Sequence, residues 1–362
     1  LATNVAETSL TGPRIGFVID SGEARISRYS VRSKVQRMPI ERIAQASADQ
    51  RMGRCGREGP GLCIRLYAEE DYAARPRFTD PEIQRTHLAA VVLQMASLGL
   101  GAVEAFPFID PPERHLINDG YTTLFELGGV DAQRGLTRLG ERLAQLSVDP
   151  RLARMLIAAH DEGALAELLP IAAALALQDP RERPPDAQGA ADKAHAAFAE
   201  PGSDFISLLH LWRFWQAQRR ALSQSQLRKV AAQHYLSFVR MREWADLHGQ
   251  LRAQARELGL TINERAAAHA NVHRALLAGL LANVARHEGK GTYQSTRNRQ
   301  VHIFPGSPVA QKPPKWLMAA EISETSRLFA RTVAAIDRAW VERLAVHLLK
   351  RSYRNARWQP KS

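Results

Sequence analysis

Only two cysteines, Cys55 and Cys63, occur in 362 residues. Their spacing matches no zinc-ligand pattern, and so low a count suits a reducing cytosol rather than a disulfide framework. Long apolar runs and a signal-peptide pattern are absent, so a cytoplasmic protein with no membrane partner is expected. No G-x-x-x-x-G-K-[ST] occurs. His287-Glu288-Gly289-Lys290-Gly291-Thr292 comes nearest and lacks both spacing and context. A phosphate loop of that kind within this chain is therefore excluded. Metal-ligand patterns are missing as well: His269 and His273 stand at i and i+4, but no further ligand set joins them. Acidic residues are in deficit, 37 against 49 Lys and Arg, giving a net charge of +12. That balance favours a polyanionic partner.

What is present is 45% hydrophobic, enough for globular cores, in a length that holds roughly two to four domains. The most informative stretch is Gln50-Arg51-Met52-Gly53-Arg54-Cys55-Gly56-Arg57. Arg54 and Arg57 are three apart, so one helical turn would put both guanidiniums on one face. Gly53 and Gly56 remove bulk beside them and let another surface approach. Two planar, permanently charged forks directed at one spot suit phosphate oxygens. The plainer alternative is a solvated basic helix; the glycine spacing and the leading glutamine weigh against it. Cys55 within this block reads as a small filler residue.

A second block opens the chain: Thr3-Asn4-Val5-Ala6-Glu7-Thr8-Ser9-Leu10-Thr11. The two blocks, in this order and at this separation, resemble motifs V and VI of the DEAH-box branch of superfamily 2 helicases. The resemblance implies ATP hydrolysis in a cleft between two RecA-like lobes. Gln50 would orient the attacking water or the γ-phosphate, and Arg54 and Arg57 would be arginine fingers. Arg51 would pair inside the lobe, with Glu7 as the partner suggested by charge and position. Thr3 and Asn4 match RNA-contacting positions. The phosphate loop, its lysine and the acid that holds magnesium would lie in a first lobe outside this chain. No Asp-Glu-x-His occurs either, so ATP and Mg2+ would be bound mainly elsewhere. The chain then reads as the C-terminal part of a helicase core, inactive alone.

In chain order, the expected architecture is multidomain α/β plus α. Residues 1–75 read as part of the second RecA-like lobe. Ile15–Asp20 has the pattern of a buried strand, Ser21-Gly22 of a turn, and Gly61–Tyr67 of another strand. Asp20 ends its strand, where ligands of α/β sheets gather. Nucleotide contact and holding the following turn are equally compatible with that position. Residues 24–45 carry Arg25, Arg28, Arg32, Lys34, Arg37 and Arg42 and suit a basic hairpin. Such arginines would meet phosphates without reading bases, or serve as a charged edge strand.

Residues 76–150 begin with a helix-start pattern at Thr79-Asp80-Pro81-Glu82 that runs to Leu98. A second helix covers about Arg114 to Leu127, and Leu136–Gly140 follows; the resemblance implies a winged helix. Residues 151–286 are almost wholly helical in pattern, with a break over 180–189, and would be the family's ratchet bundle. Trp212 and Trp215 fall on its apolar stripe as core rather than base-stacking platforms. Residues 287–362 have strand patterns at 301–307, 316–322 and 326–331, then an amphipathic helix from Arg338 to Arg351. With His302-x-x-Pro305-x-Ser307, this set resembles the OB-like barrel that closes the DEAH core. Lys290, Arg297, Arg299, Lys312 and Lys315 give it positive charge, Arg299 being the RNA contact expected there.

The expected function is ATP-dependent 3′-to-5′ movement on single-stranded RNA, or on a duplex with a single-stranded tail. A non-catalytic nucleic-acid-binding module is one alternative. An ATPase that remodels ribosomes or other ribonucleoproteins with little unwinding is another. Backbone contacts alone do not separate RNA from DNA.

Overall fold

A computed structural model describes residues 7, 14–31, 35–37, 39–289, 291–324 and 327–349. Thr3, Asn4, Arg32, Lys34 and Lys290 lie outside the described residues. The chain forms two compact units, Leu1–Leu88 with Ala102–Gly120, and Ala89–Gly101 with Tyr121–Ser362.

In the first unit, β1 (Phe17–Asp20) pairs in parallel with β6 (Leu62–Arg65), placing Asp20 opposite Arg65. A parallel pair needs a long crossover. This one contains helix α1 (Gln45–Met52) and a ribbon of four short strands. The ribbon is the expected hairpin, broken in the middle. β2 (Glu23–Arg25) pairs with β5 (Ile40–Arg42), and β3 (Arg28–Ser30) pairs with β4 (Val35–Arg37), both antiparallel. A short helix α2 (Glu69–Ala73) follows β6.

The expectation that Ile15–Asp20 is a buried strand is not met. Phe17 is 76% exposed and Ile19 70%, while Asp20 is 1% exposed. A continuous apolar run is buried only where both sheet faces are covered. Among the described residues, β1 pairs with β6 alone.

The second unit is mainly helical. Its first part contains α3 (Ala89–Ser97), the end of α4 (Arg114–Glu126) and α5 (Arg138–Ala144). The helix expected from Pro81 starts only at Ala89; a single 3-10 turn occupies Glu82–Gln84 in the first unit. Where a wing was expected there is one antiparallel bridge, Val130 to Leu136, and Thr137 then caps α5 through Gly140 N.

The bundle proper comprises α6 (Pro150–Asp161), α7 (Leu165–Leu175), α8 (Gln188–Ala196), α9 (Asp204–Ala221), α10 (Gln224–Gln233), α11 (Phe238–Glu257) and α12 (His269–Leu280). Local chemistry sets the helix starts. Asp149 caps α6 with Pro150 at its first position, Ser203 caps α9, and Ser223 with Gln226 forms a capping box on α10. Gly279 lets α12 lie against α6, since a Cβ there would come within 2.4 Å of the Arg151 carbonyl. Trp212 and Trp215 are core as expected, at 8% and 1% exposure. Trp212 packs on Trp244 with ring centres 5.2 Å apart.

The chain then closes a five-stranded barrel: β7 (Val284–Gly289), β8 (Thr292–Ser295), β9 (Arg299–Ile303), β10 (Trp316–Glu324) and β11 (Leu328–Ala335). β9 and β11 run parallel, and β10 closes on β7. Helix α13 covers Arg338–Leu344, shorter than the expected Arg338–Arg351, of which residues 350 and 351 lie outside the described residues.

Candidate nucleotide and nucleic-acid interface

The arginine block does not continue the helix. α1 ends at Met52, with the Gly53 amide donating to the Asp49 carbonyl at 2.8 Å. Arg54 N then donates to Arg51 O and Cys55 N to Met52 O, so Arg54 and Arg57 sit on a turn instead of one helical face. Glycine at 53, with its low helix propensity, gives the physical reason. Cys55 anchors the turn at 4% exposure, consistent with a filler role. The return strand passes so close that a Cβ on Gly61 would stand 2.0 Å from the Cys55 carbonyl. Gln50 and Arg57 are exposed, and Arg54 is half-buried.

Arg51 organises the interior side. Its Nε donates to Glu7 Oε2 at 2.9 Å, Nη1 to Asp20 Oδ1 at 2.6 Å, and Nη2 to the Glu23 carbonyl at 3.1 Å. The pairing with Glu7 expected from sequence is thus present, with Asp20 added. Arg54 donates to the Glu7 backbone carbonyl, from Nε at 2.7 Å and also from Nη2. Glu7 is held at both ends: its carboxylate by Arg51, its carbonyl by Arg54.

Asp20 lies at the carboxyl end of β1, as expected. Its Oδ1 also accepts from Gly22 N at 2.9 Å, and its Oδ2 accepts from the Tyr67 hydroxyl at 2.8 Å. The turn-holding role is therefore realised, and both oxygens are engaged inside the unit. Burial opposes ionisation of Asp20, but the bonds from Gly22, Arg51 and Tyr67 outweigh it and hold the carboxyl below its ordinary range. The same burial and carboxylate push the Tyr67 hydroxyl up to about 12, so it stays a donor. Behind Tyr67 lies Arg75, 7% exposed, its guanidinium 3.9 Å from the ring centre and donating to Gly22 O at 2.9 Å and Asp71 at 2.8 Å. Gly22 adopts φ +74°, and a Cβ there would strike Tyr67 at 2.6 Å. Sequence reasoning missed Tyr67 and Arg75. The glycine after Asp20-Ser21 marked the turn but not its partners.

The ribbon arginines divide. Arg25 is exposed on β2. Arg28 is engaged: its Nε donates to both Glu41 oxygens at 2.7 and 2.9 Å, and its Nη1 to Asp80 at 3.1 Å. Tyr29 fastens the next position, its hydroxyl donating to Asp119 at 2.7 Å. In the second unit, Arg299 is half-buried on β9, its Nε within 3.4 Å of the Thr296 carbonyl. The Ser307 hydroxyl donates to Asp204 Oδ2 at 2.8 Å, joining the barrel to the start of α9. His273, 8% exposed, is 2.8 Å from the Ser203 hydroxyl and plays a structural part. Among the described residues there is no group of three or more metal-ligating side chains, and no helix is long and apolar enough to cross a membrane.

An arginine turn braced by buried acids, a basic ribbon, a helical bundle and a closed five-stranded barrel describe one class. The chain belongs to the DEAH-box helicase family, in the region that carries its helicase-associated and OB-type domains. Residues 149–208 match the model of the helicase associated domain (HA2), ratchet-like, and residues 272–348 match that of the oligonucleotide/oligosaccharide-binding (OB)-fold. Among its relatives, the ATP-dependent RNA helicase HrpA of Escherichia coli (strain K12) is 52% identical over 365 residues, covering 99% of this chain and 28% of that protein. The HrpA homolog of Haemophilus influenzae (strain ATCC 51907 / DSM 11121 / KW20 / Rd) is also 52% identical, over 366 residues, with the same coverage. The probable ATP-dependent RNA helicase DHX35 of Homo sapiens is 34% identical over 350 residues, covering 96% of this chain and 49% of that protein. The chain thus spans between about a quarter and half the length of these relatives.

Proposed function

We propose that this chain is the phosphate-sensing and strand-gripping part of an ATP-dependent RNA helicase that moves 3′ to 5′ on single-stranded RNA. The observation that carries the reading is the division of labour around the end of α1. Arg51 is held by Glu7 and Asp20, while Gln50, next to it in sequence, and Arg57, six residues further on, are exposed. In phosphoryl transfer the protein supplies position and charge rather than covalent chemistry. Gln50 orients the attacking water by hydrogen bonding. Arg57 neutralises charge on the transferring phosphoryl group, and Arg54, through its hold on Glu7 O, couples that event to the segment of Thr3 and Asn4. ATP and Mg2+ are held mainly by residues outside this chain. The groups on this side are donors, the complement of phosphate oxygens. Asp20 acts by fixing Arg51 and not as a nucleotide ligand. Arg25, Arg32, Lys34 and Arg299 contact RNA phosphates.

The test is steady-state ATPase on the longer protein containing the phosphate loop. Arg57→Ala is expected to lower kcat by about a thousandfold or more, the range of arginine fingers, with a small change in KM. The 362-residue chain alone is expected to show no turnover. Near-normal kcat in Arg57→Ala, or turnover by the isolated chain, would overturn the reading.

A further inference from the structure

The turn with Arg54 and Arg57 belongs to a longer loop, and both flanks of that loop meet at one carboxylate. Ahead of the loop, Arg51 Nη1 donates to Asp20 Oδ1 at 2.6 Å. Behind it, the Tyr67 hydroxyl donates to Asp20 Oδ2 at 2.8 Å. The Leu66 amide adds a bond to the Asp20 carbonyl at 2.9 Å. Asp20 is buried, so these bonds are only weakly screened by solvent. A second tie crosses the loop on the outside, where Arg65 Nη2 and the Tyr72 hydroxyl donate to Asp49 at 2.8 and 2.9 Å. Asp49 is exposed, and a tie of that kind holds little. The far end of the loop is not braced by packing: a Cβ on Gly56 or Gly59, either side of Arg57, would meet nothing within 4 Å. The buried clasp at Asp20 therefore decides where the loop carries its arginines.

Tyr67 is itself held in place. Arg75 lies against the face of its ring, and Arg75 is tied to Asp71, to the Gly22 carbonyl and, at 3.3 Å, to the Ile43 carbonyl. The guanidinium keeps this place although its buried Nε has no partner among the described residues. Gly22 makes room for both groups, since a Cβ there would stand 2.6 Å from the Tyr67 ring and 2.7 Å from Arg75 Nη2. The ring is thus fixed by its surroundings, and the hydroxyl has one acceptor to serve. By occupying Oδ2 it stops the carboxylate from turning and leaves Oδ1 to Arg51. Arg51 also holds the Glu7 carboxylate, and Arg54 the Glu7 carbonyl, so a rotation at Asp20 would be passed along the whole turn. We propose that Tyr67 is a positioning residue for phosphoryl transfer: its hydroxyl orients the Asp20 carboxylate, which fixes Arg51 and with it the turn that presents Arg57 to the phosphates. This rests on the reading of Arg57 as the charge-neutralising group and adds what sets its place.

The experiment is steady-state ATPase and hydrogen exchange on the longer protein containing the phosphate loop, with Arg57→Ala measured alongside. Tyr67→Phe keeps the ring against Arg75 and removes the hydroxyl alone. It is expected to lower kcat by roughly ten- to a hundredfold, the effect of displacing a reacting group by about an ångström. KM for ATP is expected to stay within about twofold, because the interaction lost is one made in the transition state. The Gly53 and Cys55 amides, bonded to Asp49 O and Met52 O, are expected to exchange faster in this variant. In an Asp20→Ala background the hydroxyl has no carboxylate to orient, and Tyr67→Phe is expected to change kcat by less than about twofold further. If the alanine variant does not fold, the kcat and exchange changes of Tyr67→Phe decide alone. Wild-type kcat in Tyr67→Phe, with activity lost in Arg57→Ala, would overturn the positioning role and leave the reading of Arg57 standing. Losses from Tyr67→Phe and Asp20→Ala that multiply independently would do the same. Near-normal kcat in Arg57→Ala would overturn that reading, and the positioning role with it.

Discussion

The two units are held together by different forces. In the second, Trp215, Trp244 and Phe205 are buried to 1% exposure or less among leucines and alanines. In the first, β1 and β6 expose Phe17, Ile19, Leu62 and Ile64, while the buried groups include Asp20 and Arg75. Apolar burial is non-directional and tolerates exchange of one hydrophobe for another. Charge-assisted hydrogen bonds fix the identity and position of each partner, because removing one leaves the other desolvated and unpaired. The helical unit is therefore a frame. The polar unit is a device for placing one turn, where half an ångström matters more than total stability.

The sharpest way to break this contrast is to remove the largest anchor of the frame. Trp244 is 1% exposed and its indole N–H donates to the Pro170 carbonyl at 2.7 Å. Trp244→Ala is expected to destabilise the second unit by about 4 kcal/mol through the cavity and the lost bond. Trp212, Trp215, Trp316 and Trp340 lie in that unit and report its urea unfolding by fluorescence. A loss under about 1 kcal/mol would mean the frame is not packed as described.

The corresponding cut in the polar unit is Asp20→Ala, which removes one of the two carboxylates on Arg51 and the acceptor of the Tyr67 hydroxyl and is expected to cost about 3 kcal/mol. Hydrogen exchange of the α1 amides reads it, since this unit has no tryptophan. The pH dependence has a definite sign. The Asp20 carboxyl is held below its ordinary value when folded. Its contribution is complete above about pH 4, near the unfolded value, and is lost as pH falls through the lowered folded value. Asp20→Asn is expected to flatten that acid limb.

The frame has its own titration in a different window. Burial pushes His273 down to about 4, helped by His269, and likewise His248, beside Arg252 and Arg219, down to about 4. An unfolded histidine titrates near 6.5. Stability of the second unit is thus complete above about pH 6.5 and falls progressively toward pH 4, by roughly 3 kcal/mol for each histidine. His273→Gln is expected to remove about half of that slope in fluorescence-monitored unfolding. An unchanged slope would show that the imidazole already takes up its proton when folded.

The same contrast explains what could be read from residue order. Helices of the frame were legible from composition and an apolar stripe, as at Trp212 and Trp215, because their stabilisation comes from one continuous face; the caps at Asp149-Pro150 and Ser223-x-x-Gln226 emerged with the structure. Of the five barrel strands, β9, β10 and β11 were legible as strand patterns, whereas β7 and β8 were not. The arginine turn was legible as a motif, yet its shape was not: i,i+3 spacing fits a helix, and the Gly53 exit and the Cys55–Gly61 crossing overrode it. The Asp20–Tyr67–Arg75 stack was invisible because its members are 47 and 8 residues apart and only the β1–β6 pairing brings them together. Strand burial at Phe17 and Ile19 was misread because apolar composition states a capacity for burial, and the layers that would use it are not among the described residues.

The smallest expected change in stability concerns Arg28, where the two units' styles meet in one residue type. Its guanidinium is 42% exposed and paired with Glu41 and Asp80, so removing those acids is expected to cost under about 1 kcal/mol. Binding should respond more than folding does. Glu41→Gln with Asp80→Asn releases Arg28 beside Arg25 on a ribbon already rich in cations. If Arg28 then meets a phosphate of single-stranded RNA, the slope of log affinity against log salt steepens by about 0.7, the single-strand value per contact. Arg25→Ala should make it shallower by the same amount. The measurement is anisotropy across a salt series with the 362-residue chain. A slope indifferent to both changes would place the ribbon arginines with the structural pairs around Arg51 and leave the strand to be gripped elsewhere.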